Sequence, residues 1–195
     1  MLAAGQEGVT VHSAETCEEA NLGHAVRTLL DKQDIYELLA RYLRAADRGD
    51  VEGLRVCYLP GAREEHGGVF DGSAEDYVHG IAAALSHPRR LTSHAMTNVL
   101  IEVDGDRARA ESYVTVFARV RTADGKGDSV TGLRIIDNLE KVDGRWGIRL
   151  RRLRWDWNHD MPVAESWIHG NLVSKGNTLI KSEPYPADVI YEDWR

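Results

Sequence analysis

Residues Leu91–Asp106 read LTSHAMTNVLIEVDGD. A polar start carrying His94 runs into Val99, Leu100, Ile101 and Val103, which favour strands, and then into Asp104-Gly105, a strong short hairpin signal. The stretch predicts a strand of an antiparallel sheet with a histidine near its start, held by a rigid element. An imidazole in that position can accept a proton near neutral pH. Downstream, Arg107–Val120 alternates: Ala108, Ala110, Ser112 and Val114 face one way, and Arg107, Arg109, Glu111 and Tyr113 the other. The first set is small, as a wall beside a cavity would be. Val130–Val142 is a further strand, and Asp143-Gly144 predicts a hairpin into Trp146–Trp157.

Upstream, helices are expected. From His24 on, Leu29, Leu30, Ile35, Tyr36, Leu38, Leu39, Tyr42, Leu43 and Ala46 recur at helical spacing, and Gly49 ends the run as a C-cap would. Asp47 falls in the last turn, where a carboxylate opposes the helix dipole. Tyr36, Ala40 and Leu43 share its face, which is otherwise apolar. Asp50–Leu59 reads as a short second helix ended by Pro60-Gly61, and Ala62–Phe70 as a strand carrying His66. Asp71-Gly72 reads as a turn, and Ser73 as the cap of a third helix running to Pro88. Helices followed by four or five antiparallel strands give an α+β domain, in which a curved sheet around the first helices would enclose a pocket. Residues 1–23 read as an arm, 24–160 as the domain, and the aromatic but unperiodic 161–195, with Trp167, Tyr185, Tyr191 and Trp194, as a strap over the domain or another subunit.

Composition narrows the function. The 195 residues suit one domain. A net charge of −7, with 24 basic against 31 acidic residues, argues against a nucleic-acid surface. The single basic run, Arg149–Arg154, alternates faces along a strand and forms no clean stripe. No secretory signal opens the chain and no run of about 18 apolar residues could span a membrane, so a cytoplasmic protein is expected. Cys17 and Cys57 read as ordinary thiols of a reducing compartment. HxH, HExxH and CxxC are absent, so no metal is expected; GxSxG, Walker A and a GxGxxG after a strand are absent too.

Candidates for acid–base work are His94, Asp47, His66, Tyr42, Tyr58, Arg134 and Asp156. A carboxylate beside a histidine fixes its tautomer and makes it a general base. The plainer alternatives are a strand-edge histidine bonded to a backbone carbonyl and a solvated aspartate at a frayed helix end. Trp146, Trp155 and Trp157 would line a pocket for a ring substrate or belong to the core.

The order and spacing of DKQDIYELLARYLRAADRGDVEGL (31–54), HGGVFDGSAEDYV (66–78), LTSHAMTNVLIEVDGDRARAESYVTV (91–116) and LEKVDGRWGIRLRRLRWDW (139–157) resemble the SnoaL-like branch of the nuclear-transport-factor-2-like superfamily, over about two thirds of the chain. The resemblance implies a cone-shaped α+β barrel, a bent sheet enclosing a mostly apolar pocket. It also implies, from the dehydratases and dehydrochlorinase of that branch, an Asp–His base dyad that uses no metal or cofactor. Asp47 in RAADRGD matches the aspartate and His94 in TSHAMTN the histidine. His66 falls where the dehydratases carry a pocket tyrosine that polarises or protonates the substrate oxygen, and Tyr42 matches a further pocket tyrosine. Ala46 replaces a tyrosine that precedes the aspartate in scytalone dehydratase, and Ser112 lies near that enzyme's second histidine. The expectation is a cofactor-independent lyase acting on an apolar, aromatic or polycyclic hydroxylated molecule, with loss of water or, by retro-aldol cleavage, of formaldehyde. Tyr58, Asn98, Ser112, Arg134, Arg154 and Trp155 would bind the substrate, and relatives with the dyad imply a homotrimer. A ketosteroid-type isomerase and a non-catalytic binding or assembly subunit remain open.

Overall fold

A computed structural model describes residues 8–85, 91–122, 125–163 and 182–193. Three helices, α1 (Gly8–Arg48), α2 (Val51–Arg55) and α3 (Ala74–Leu85), accompany six strands: β1 (Tyr58–His66), β2 (Asp71–Ser73), β3 (Thr92–Asp104), β4 (Arg107–Thr122), β5 (Gly125–Val142) and β6 (Arg145–Pro162). The strands form one open sheet in the order β2-β1-β6-β5-β4-β3, antiparallel except for the β1–β6 pair. This is the α+β cone expected from the sequence, with one more strand and one parallel pairing.

Helix α1 begins at Gly8, well before His24, and its core-facing residues are Ile35, Leu38, Leu39, Tyr42, Leu43, Ala45 and Ala46. Of the residues that share the face of Asp47, Tyr36 and Ala40 are exposed while Leu43 is buried, so that face runs along the margin of the buried stripe. Gly49 ends α1 with φ +73°, and the Asp50 N–H bonds the Ala45 carbonyl at 2.9 Å, the six-to-one bond of a Schellman cap. Asp50 then caps α2 by accepting from the Gly53 N–H at 2.8 Å.

Between α2 and α3 the boundaries differ from expectation. Pro60-Gly61 does not terminate a helix; it sits inside β1, where the register against β6 shifts between Tyr58 and Arg63. A bulge accommodates a proline that cannot donate to the ladder. Asp71-Gly72 is paired with Glu65 and Glu64 in β2, and the reversal lies over Gly67–Val69. Pro88, Asp124, Trp167, Trp194 and most of the expected strap lie outside the described residues. Both hairpins after Asp104 and Asp143 are in register as expected.

The concave face of the sheet closes on α1, α2 and α3. Ala110, Ser112 and Val114 of β4, Leu133, Ile135 and Leu139 of β5, and Ile148 and Leu153 of β6 are buried there, with Leu54 of α2 fully enclosed. The Trp146 Nε1–H donates to Asp31 at 2.9 Å, tying β6 to α1. Residues 182–193 lie against the end of α1 through a Tyr185 N–H bond to the Arg48 carbonyl at 2.7 Å and an Arg48–Asp188 ion pair at 3.2 Å. Leu54→Ala should cost about 2–5 kcal/mol, because a residue with no exposed surface leaves a cavity its neighbours only partly fill. A urea titration reads this as a lower midpoint at unchanged slope.

Candidate active site

β3 is an edge strand, so the N–H groups on its outer side have no ladder partner. Asp47, at the end of α1, meets one of them. Its Oδ2 accepts the His94 backbone N–H at 2.9 Å while its Oδ1 lies 2.6 Å from His94 Nδ1. Both side chains are largely enclosed, His94 being 19% and Asp47 15% exposed. A carboxylate only accepts, so Nδ1 is the nitrogen that donates to it and Nε2 is the one turned away from Asp47. The aspartate thus fixes both the backbone and the tautomer of the histidine.

His94 lines a cavity of about 400 Å³ between the helices and the concave sheet. Leu43, Leu54, Ile81, Leu85, Val116, Leu133, Ile135 and Leu153 supply most of the wall. Its polar groups come from Tyr42, Tyr77, Thr92, Ser129, Thr131, His66, His94 and Arg151. Apolar walls with convergent polar groups are usual in small-molecule sites. Trp155 forms part of the rim, 47% exposed, its Nε1–H bonded to the Gly67 carbonyl at 3.0 Å. Gly67 has φ +55°, and a Cβ there would fall 2.1 Å from Trp155 Nε1. Only glycine permits this approach of the turn to the ring.

Arg151 is the arginine that enters the cavity wall. It is 1% exposed and is bound by Asp137 in a two-pronged pair, Nε to Oδ1 and Nη2 to Oδ2, both 2.8 Å. Its guanidinium carbon lies 3.7 Å from the centroid of the Tyr42 ring, and Nη1 makes no hydrogen bond. Burial disfavours the cation, but the Asp137 charge and hydrogen bonds outweigh it and hold Arg151 protonated. The Tyr58 hydroxyl is 3.0 Å from that of Tyr42 and donates to Glu64 at 2.7 Å. Burial, helped by the Glu64 charge and opposed by Arg151, pushes Tyr42 up to about 12, and burial raises Tyr58 well above its usual value. Both tyrosines are therefore neutral hydrogen-bonding groups.

The other expected binding residues fall elsewhere. Arg134 is partly exposed and paired with Glu111 and Asp156 on the outer face of the sheet. Arg154 pairs with Glu65 and is exposed. The pleat explains the exchange: on β6, Arg151 and Leu153 point inward and are buried, while Arg152 and Arg154 point away. Asn98, at φ +46°, is exposed at a register shift between Thr97 and Leu100. Ser112 is buried but does not line the cavity, and Tyr58 stands behind Tyr42. Sequence reasoning does not single out Arg151, Asp137 or Glu64. The alternation in RLRRLR already divides the arginines between two faces, but which face is inner depends on the β5–β6 register. Among the described residues no three His, Cys, Asp or Glu side chains converge as a metal site would require, and no helix is long and apolar enough to cross a membrane.

The α+β cone around an apolar cavity defines the class of protein by its fold. The chain belongs to the SnoaL-like domain family, whose model matches residues 27–152. Among solved structures it is similar to a protein provisionally described as a scytalone dehydratase from Novosphingobium aromaticivorans, with 22% identity over 70% of this chain and 91% of that one and a TM-score of 0.61. A hexachlorocyclohexane dehydrochlorinase, LinA-type3 from Novosphingobium barchaimii, is similar at 16% identity over 73% and 99% of the two chains, with a TM-score of 0.63. Rv3472 from Mycobacterium tuberculosis, a protein of unknown function, is 29% identical over 68% and 75%, with a TM-score of 0.56. No curated protein matches the sequence.

Proposed function

We propose that the protein is a cofactor-independent lyase for an apolar, aromatic or polycyclic hydroxylated small molecule, with His94 as the base and Asp47 as its orienting partner. The observation that carries this reading is the 2.6 Å contact between Asp47 and His94 Nδ1, which frees Nε2 of a ring lining the apolar cavity. A base fixed in this tautomer removes a proton beside an activating group of the substrate. The electron pair left behind expels an oxygen, and the fixed Arg151 charge and the Tyr42 hydroxyl stabilise the negative charge that develops. The dehydratase and dehydrochlorinase names among the structural relatives belong to the same class of elimination.

β-Hydroxypropiophenone distinguishes the possible outcomes. Elimination gives phenyl vinyl ketone and water, retro-aldol cleavage gives acetophenone and formaldehyde, and an isomerase gives a product of unchanged mass. We expect one of the first two products by mass spectrometry, in a reaction that needs no added metal or cofactor. A product of unchanged mass would replace the lyase reading by the isomerase one. No reaction with this compound or with a panel of larger β-hydroxy aryl ketones would favour a binding role.

A further inference from the structure

A second histidine–carboxylate pair borders the same cavity. Glu64 and His66 lie two apart on β1 and share its inward face. Glu64 is fully buried; its Oε1 lies 2.9 Å from His66 Nδ1 and its Oε2 accepts from Tyr58. The His66 ring lines the cavity, stacked on Tyr77 of α3 at 5.0 Å and 26°, with the Trp155 ring at 5.8 Å edge-on.

The charges around this pair do not balance unless it holds an extra proton. Behind His66 the buried ionic groups are Arg151, Asp137 and Glu64; Tyr42 and Tyr58 are neutral. Arg151 and Asp137 cancel through their two-pronged pair, leaving the Glu64 carboxylate. On the outer face, Glu65 is matched by Arg154 and Arg152, and Asp71 of β2 by Arg63. Tyr77 is the titratable group facing the ring from α3. A carboxylate without exposed surface and without a countercharge is costly, and the nearest group able to supply one is the imidazole it already touches.

We infer that Glu64 is a positioning residue that holds His66 as an imidazolium, and that His66 Nε2–H is the proton donor to the departing oxygen. The donor role rests on the lyase reading above; the placement of the proton does not. In the elimination, His94 Nε2 bonds to the substrate proton, the C–H pair becomes the new C=C bond, and the C–O bond breaks with its pair on oxygen. That oxygen takes the His66 Nε2 proton and leaves as water. His94 ends as the cation and His66 as the neutral ring, and exchange with solvent restores both. The two histidines thus do opposite work, one neutral and one charged at the start of each cycle.

The test is nitrogen NMR on the full-length protein labelled at histidine, with no ligand, together with the pH profile of β-hydroxypropiophenone turnover. Near neutral pH, both His66 nitrogens should carry protons while His94 carries one at Nδ1. In Glu64→Gln, which keeps a hydrogen-bonding side chain but removes the charge, His66 should become neutral with His94 unchanged. The alkaline limb of the rate profile should then move to lower pH, because the donor loses its proton sooner, with kcat falling roughly a hundredfold and KM little changed. A purely structural Glu64 would leave the His66 spectrum and the limb in place, which overturns the inference. A neutral His66 in the wild type overturns it as well, even if Glu64→Gln does not fold. If the wild type turns over neither this ketone nor its larger analogues, the donor role falls with the lyase reading, while the ring spectra still decide where the proton sits.

Discussion

Asp47→Asn and His94→Ala should each abolish turnover while leaving the protein folded. The aspartate variant is the more informative. Asp47 accepts two hydrogen bonds at once, from the His94 backbone N–H and from Nδ1. An asparagine offers one acceptor and one donor. If its oxygen keeps the backbone N–H, its NH2 faces Nδ1 and forces the proton to Nε2, so the ring presents no lone pair to the cavity. If it flips, the edge-strand N–H loses its partner and the ring loses the charge that stabilises it once protonated. Either arrangement removes the base, and the loss in kcat should reach roughly 10²–10⁴-fold or more. His94→Ala removes it outright. Circular dichroism and thermal melts verify the fold in parallel. Full activity in either folded variant would remove the pair from the mechanism.

The largest stability effect should follow removal of Arg151. Arg151→Leu leaves Asp137, which has no exposed surface, without a countercharge, and takes the cation away from the face of Tyr42. Breaking one side of a buried ion pair costs about 3–5 kcal/mol, most of it the penalty on the charge left behind. Arg151→Leu with Asp137→Leu should therefore recover a large part of that loss, since two apolar groups need no partner. Urea unfolding of the three proteins, with the single variants compared through a double-mutant cycle, reads the coupling directly. A single variant as stable as the wild type would mean that water or protonation of Asp137 itself relieves the carboxylate.

The pair also shows where sequence reading stops. Strand and helix identity follow from local pattern: LTSHAMTNVLIEVDGD encodes β3 and its hairpin, the alternation from Ala108 to Val114 encodes the buried wall of β4, and Gly49 marks the end of α1. These depend on periodicity and turn chemistry, which act over a few residues. Pro60-Gly61 and Asp71-Gly72 read locally as breaks yet lie in strands, because pairing with β6 and β1 outweighs local turn preference. The Asp47–His94 pairing comes from family resemblance, not from spacing: the two residues belong to different elements, joined only when α1 closes over the open edge of β3.

What the sequence by itself determined is therefore the helices, the β3–β6 hairpins and their order. The small set Ala108–Val114 packs in the core beside the cavity-lining Val116 and Ala118 and does not itself line the cavity. The two residues most worth mutating came from the resemblance. The tertiary structure alone decided which arginine faces inward, that Glu64 and Asp137 are buried with it, and that His66 has a carboxylate of its own. The physical reason is that local pattern fixes which residues alternate, whereas burial and charge compensation depend on which face of each strand the helices cover. A one-residue change of register would exchange Arg151 for Arg152 at the cavity wall.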